Sequence, residues 1–134
     1  MFYGEIEYRK INAKNHALTA PLVWRDDVGL IRVKKGFTFD GASIPRALWS
    51  LVGSPFTGDY TRAACLHDAL YASELLSRHA ADLLFFQAML SDGVRYSKAA
   101  VMYCAVRVGG WFVWRKHTPK SIKEGCKYVE ITTR

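Results

Sequence analysis

A chain of 134 residues, half of them hydrophobic and 13% aromatic, can bury one real core and is too apolar to stay disordered, so a single domain over residues 1–134 is expected. Its three cysteines, Cys65, Cys104 and Cys126, share no CxxC spacing, which excludes a zinc ribbon or a disulfide scaffold and leaves reduced, packed thiols of a cytosolic protein. The net charge of +7 is uneven: residues 1–58 carry 8 basic and 5 acidic side chains, residues 59–94 carry 2 and 5, and residues 95–134 carry 9 and 2. The middle is therefore locally acidic and can attract a cation, whereas the basic end suits phosphates or an acidic surface, unless its lysines are simply solvated.

The first seven residues, Met1-Phe2-Tyr3-Gly4-Glu5-Ile6-Glu7, have no basic leader and predict no secretory signal. Strands are expected next. Phe2 to Arg9 alternates loosely, Ala17 to Trp24 is a short apolar run, and Asp26-Asp27-Val28-Gly29 is a turn signal before Leu30-Ile31-Arg32-Val33. Trp24 and Leu30 then flank a hairpin loop, Lys35-Gly36 makes a second turn, and Phe37-Thr38-Phe39 a third short strand. Between Gly41 and Gly58 the glycines, serines and prolines predict a loop, packed down because it carries Leu48, Trp49, Leu51, Val52 and Phe56.

Three helices are expected after the loop. The first is capped by Asp59 and runs to about Ser73, with Ala63, Ala64, His67, Leu70 and Tyr71 on one stripe. The second is capped by Ser77, carries Asp82, Phe85, Phe86, Met89 and Leu90 on one face, and ends near Gly93. The third opens at Ser97 with Ala100, Tyr103, Cys104, Arg107, Val108 and Trp111 on one side. Its apolar run, Ala99 to Trp114, falls short of the roughly 20 residues that span a bilayer, so a buried helix and no transmembrane segment are expected. One strand, Lys127 to Thr132, closes the chain. The fold class is therefore α+β: an N-terminal antiparallel β-meander, a packed loop, a three-helix segment and a C-terminal strand.

Polar residues set among apolar ones mark the candidate site. Asp40, Ser43 and Arg46 lie in Phe39-Asp40-Gly41-Ala42-Ser43-Ile44-Pro45-Arg46, His67 and Asp68 precede Tyr71, and Asp82 interrupts Ala80-Ala81-Asp82-Leu83-Leu84-Phe85-Phe86. An unpaired buried charge costs several kcal/mol or changes its protonation state, so such groups require partners. His67 and Tyr71, four apart, share one helix face, while Asp68 points about 100° away. Asp82 sits where a leucine would pack better, and its expected role is to accept a hydrogen bond from His67 and hold its tautomer, as carboxylates do for general-base histidines. A His–Asp pair that merely ties two helices together leaves the same pattern. Asp40 and Ser43 can equally cap a turn, with Arg46 paired to Asp40 or Asp68, and Ser43 lacks the Gly-x-Ser-x-Gly elbow of a nucleophile.

At the end of the third helix Trp111, Phe112 and Trp114 mix with Arg115, Lys116, Lys120, Lys123 and Lys127. That pattern fits a membrane interface, but a core helix whose last turn carries cations is the preferred reading. No nucleic-acid module is recognisable, so nucleic acid is not expected as a partner, and the oligomeric state stays open.

Two resemblances follow. Gly36-Phe37, Asp40 to Arg46, Trp49, His67-Asp68 with Tyr71, Ala81-Asp82 with Phe85, and Met102-Tyr103 with Ala105-Val106-Arg107 resemble a family of small, uncharacterised bacteriophage and prophage proteins of unknown function. That likeness covers residues 17–111 and implies a phage or prophage origin without an activity. Asp59, Ala63, Ala64, His67, Asp68, Tyr71 and Asp82 are also similar, over about 25 residues, to phospholipase A2-type domains. By that likeness His67 is a water-activating base, Asp82 its partner and Asp68 a calcium ligand. The expected site is thus a His67–Asp82 dyad bordered by Tyr71 on the catalytic side, with Asp40 sharing any calcium with Asp68. The chain lacks the paired-glycine calcium loop and framework disulfides of those domains, and Asp82 follows His67 by only 15 residues. The expected function is a virion, assembly or host-interaction component with a structural His–Asp cluster, in the host cytoplasm or the virion, with other phage proteins or the host envelope as partners. The alternative is a calcium-assisted hydrolase acting on envelope lipid during entry or lysis.

Overall fold

The computed structural model describes residues 1–13, 15–40, 44, 47 and 60–133. Among these lie seven strands and four helices. The strands are β1 (Phe2–Tyr3), β2 (Tyr8–Lys10), β3 (His16–Leu18), β4 (Leu22–Arg25), β5 (Gly29–Val33), β6 (Thr38–Phe39) and β7 (Val129–Thr133). The helices are α1 (Thr61–Ser73), α2 (Arg78–Ser91), α3 (Tyr96–Trp114) and α4 (Pro119–Cys126). The architecture is α+β with a C-terminal strand, as the segregation of strand and helix patterns predicts.

The antiparallel strands divide into two sheets, one in the order β1-β4-β5-β7 and one in the order β2-β3-β6. The β4–β5 hairpin turns where its sequence demands. Asp26 Oδ1 accepts the backbone N–H groups of Val28 and Gly29, and Trp24 Nε1 donates to Asp26 Oδ2 at 3.0 Å. This sets Trp24 opposite Ile31 and Arg25 opposite Leu30. Strand β7 closes the larger sheet, pairing Val129 with Val33 and Ile131 with Ile31 of β5.

Helix α1 is the centre of the molecule. Ten of its residues are buried, including the expected stripe of Ala63, Ala64, His67, Leu70 and Tyr71, and it packs against α2, α4, β6 and β7. Its N-cap is Tyr60, which provides no side-chain cap; the expected capping residue, Asp59, lies outside the described residues. It ends at Glu74, whose φ of 48° is left-handed, with the Glu74 N–H bonded to Leu70 O. Helix α2 starts as predicted, with the Ser77 hydroxyl accepting Ala80 N–H at 3.1 Å, and reverses at Gly93, whose φ is +86°. Leu90 of its expected inner stripe is exposed.

Three expectations are corrected. Helix α4 was not foreseen, although Thr118 and Ser121 form a reciprocal capping box and Pro119 occupies the first turn. Eight residues offer too little periodicity to separate a helix from a loop. The last strand accordingly begins at Val129 rather than Lys127. Helix α3 is turned the other way from its predicted stripe: Ala99, Met102, Val106 and Gly110 face inward, while Cys104, Val108 and Trp111 are exposed. Cys104 is thus a surface thiol rather than a packed one, and all three cysteines are free. No helix among the described residues is long and apolar enough to cross a membrane.

Helix α4 reaches α1 through a glycine. A Cβ on Gly125 would collide with the backbone carbonyl of Ala72, which cannot rotate away as a side chain does. Gly125→Ala is therefore expected to destabilise the protein by about 1–3 kcal/mol through overpacking. A denaturation midpoint equal to that of the unsubstituted protein would show that α4 can slide off α1 without loss.

Candidate functional site

The site is built around one carboxylate. Asp82, on the inner face of α2, is fully buried, and His67, on α1, is 1% exposed. His67 Nε2 lies 2.7 Å from Asp82 Oδ1, and the Tyr71 hydroxyl donates to the same oxygen at 2.7 Å. The other oxygen, Oδ2, accepts from Arg107 Nη1 of α3 at 2.7 Å, with Arg78 Nη1 at 3.6 Å. Arg78 also donates to the backbone carbonyls of Val106 and Arg107, so it joins the same two helices. Asp82 thereby ties α1, α2 and α3 at one point.

Burial alone would raise the Asp82 pKa, but hydrogen bonds from His67, Tyr71 and Arg107 hold it below the ordinary carboxylate value. An ionised carboxylate only accepts, so His67 Nε2 carries the proton and donates. The His67 pKa is lowered, first by burial and further by the Arg78 charge, against the opposing pull of Asp82. His67 is therefore a neutral imidazole of defined tautomer. The Tyr71 hydroxyl is pushed far up, by burial and by its bond to Asp82, and stays protonated as a donor. Phe85, with its ring centroid 4.7 Å from that of His67, and Tyr71 at 4.3 Å hold the imidazole in place. Gly110 allows the close approach of α3, since a Cβ there would collide with the Tyr71 hydroxyl.

Asp68 and Asp40 also come together, as a separate pair. Asp68 Oδ2 accepts the backbone N–H of Asp40 at 3.2 Å, which docks the end of β6 on α1. They border a groove of about 410 Å³ that Tyr71, His117 and Glu124 also line, and whose described walls include neither His67 nor Asp82. Calcium takes six to eight oxygen ligands. Among the described residues no three His, Cys, Asp or Glu side chains converge to hold a metal, so Asp68 and Asp40 alone do not build a calcium site.

Of the residues singled out from sequence, the structure unites His67, Tyr71 and Asp82 in one cluster and Asp40 with Asp68 in another. Ser43 and Arg46 lie outside the described residues. The pairing of Arg107 and Arg78 with Asp82 was missed. Arg78 stands one helical turn before Asp82, a spacing that announces an ion pair. Arg107 is legible only as a charge inside an apolar run.

Two uncharacterized proteins of Sinorhizobium fredii (strain NBRC 101917 / NGR234) resemble the chain. The protein y4jT is 38% identical over 78 residues, covering 58% of this chain and 23% of y4jT. The protein y4iH is 37% identical over 71 residues, covering 53% of this chain and 30% of y4iH. The chain thus spans less than a third of the length of these relatives. No solved structure matches it. A family model described as "Protein of unknown function (DUF1353)" matches residues 16–106, from β3 through most of α3, a region that contains every residue of the Asp82 cluster except Arg107, and on that match the chain belongs to the DUF1353 family.

Proposed function

We propose that this chain is a phage- or prophage-encoded virion, assembly or host-interaction protein, acting in the host cytoplasm or the particle, in which the Asp82 cluster is a structural staple. The observation that supports the staple is the sealing of His67 and Asp82, with Asp82 Oδ1 taken by His67 and Tyr71 of α1 and Oδ2 by Arg107 of α3. A general base needs a path to its substrate, and the described walls of the neighbouring groove include Tyr71 but neither His67 nor Asp82. The phage setting rests on the motif string from Gly36 to Arg107.

A hydrolase of the phospholipase A2 type is the second reading. It is favoured by one observation: His67 bonds through Nε2 to a carboxylate that Tyr71 also holds, with Asp68 one residue on. His67→Gln separates the two. Under the staple reading the unsubstituted protein turns over no phospholipid ester, with or without calcium, and the variant loses about 1–3 kcal/mol of stability through its disturbed buried hydrogen bond. Ester turnover that drops at least ~100-fold in a normally folded variant would establish the hydrolase instead.

A further inference from the structure

The outer face of α3 is apolar, and the fold leaves it uncovered. Val101, Cys104, Val108, Trp111, Phe112 and Arg115 fall within a stripe about 100° wide at 100° per residue, opposite the inward face of Ala99, Met102, Val106 and Gly110. Val108 is 72% exposed, Phe112 55%, Val101 50% and Trp111 48%. This corrects the expectation of a core helix with a charged last turn: Trp111 and Phe112 stand in solvent, and of the three aromatic residues only Trp114 packs inward, its ring meeting Tyr71 edge-on at 5.1 Å.

The chemistry around the stripe specifies what covers it. Arg115 stacks on the Trp111 ring at 4.6 Å, so indole and guanidinium are presented together at one end. Lys116, Lys120 and Lys123 follow, all exposed, and none of these four cations pairs with a carboxylate among the described residues. The two acids of this region are engaged elsewhere, Glu124 with Lys127 and Glu130 with Lys34. Four cations that pair with no carboxylate among the described residues suit an anionic surface, which a second copy of a chain with net charge +7 does not supply. An apolar helix face ending in tryptophan, arginine and lysines is the pattern of a helix that lies in a lipid interface, its aromatic rings at headgroup level and its cations on phosphates.

We propose that α3 docks flat on an anionic lipid membrane, inserting Val101, Val108, Trp111 and Phe112 while Arg115, Lys116, Lys120 and Lys123 engage lipid phosphates. This narrows the host-interaction reading to one partner. It fails independently of the staple, because its test uses only exposed residues.

The test is co-sedimentation of the full chain with vesicles of mixed phosphatidylglycerol and phosphatidylcholine, against phosphatidylcholine alone. The expected result is binding at least 10-fold tighter to the anionic vesicles, weakened by salt, with a blue shift of tryptophan emission. Replacing Lys116, Lys120 and Lys123 together by Gln should weaken it on the order of 100-fold, at roughly fivefold per cation. The double variant Val108→Glu with Phe112→Glu should lose binding while keeping its helical circular dichroism and melting temperature. Absence of binding, indifference to phosphatidylglycerol, or full binding by the folded double variant would overturn the proposal. So would capture by polyglutamate without vesicle binding, which would mark an acidic protein partner, or a dimer that the double variant dissociates without vesicle binding, which would mark a second copy.

Discussion

Asp82→Ala is expected to destabilise the protein by about 3–5 kcal/mol, the cost of removing one partner from a buried, hydrogen-bonded ion cluster. The substitution strands the Tyr71 hydroxyl and the Nε2 hydrogen of His67 in apolar surroundings and leaves Arg107 and Arg78 without their carboxylate. Against a total stability of roughly 5–15 kcal/mol for an ordinary domain, that is a large fraction. Tyr71→Phe removes a single donor and should cost about 1 kcal/mol. Arg107→Ala should cost less than Asp82→Ala, because the arginine is only partly buried and reaches solvent. Guanidinium denaturation checks all three, and an Asp82→Ala loss below about 1 kcal/mol would mean that the cluster does not hold the helices together.

Stability is also expected to fall in two steps as the solution is acidified. The folded-state pKa of His67 lies below its ordinary 6.5, chiefly because of burial. The unfolded chain therefore takes up this proton at higher pH than the folded one, so the His67 contribution is complete above about pH 6.5 and is lost as pH falls toward the folded value. The folded-state pKa of Asp82 lies below its ordinary 3.8: burial opposes ionisation, but the hydrogen bonds from His67, Tyr71 and Arg107 prevail. Its contribution is present above about pH 3.8 and disappears below it. Melting temperatures measured from pH 8 to pH 3 should show both declines. His67→Gln should abolish the upper one and leave the lower, and a variant that still weakens as pH first falls below about 6.5 would place the titrating group elsewhere.

The candidate cluster is legible in sequence to the extent that it is local. His67 and Tyr71 share a face because four residues make about one helical turn, and Asp82 stands out because a carboxylate on a stripe with Phe85 and Met89 must find a donor. Their mutual hydrogen bonds are the simplest way to satisfy that demand, and the structure contains them. Arg107 belongs to the same cluster, yet its partner depends on where α3 crosses α2, which no spacing within α3 encodes. Helix α3 shows the limit most clearly. With apolar residues on nearly every side, its periodicity does not single out an inner face.

Local sequence specifies the α+β class, the Asp26–Gly29 hairpin, the extents of α1 and α2 to within a residue or two, and the inward direction of His67, Tyr71 and Asp82. Each of these follows from turn chemistry, capping or periodicity acting over a few neighbouring residues. Packing between distant segments sets the rest: the strands divide between two sheets, β7 returns to pair with β5, α4 seats on α1 through Gly125, and Val108, Trp111 and Phe112 stay outside. Those outcomes depend on contacts between distant segments, where the winner is set by which surfaces fit and how much apolar area each pairing removes from water.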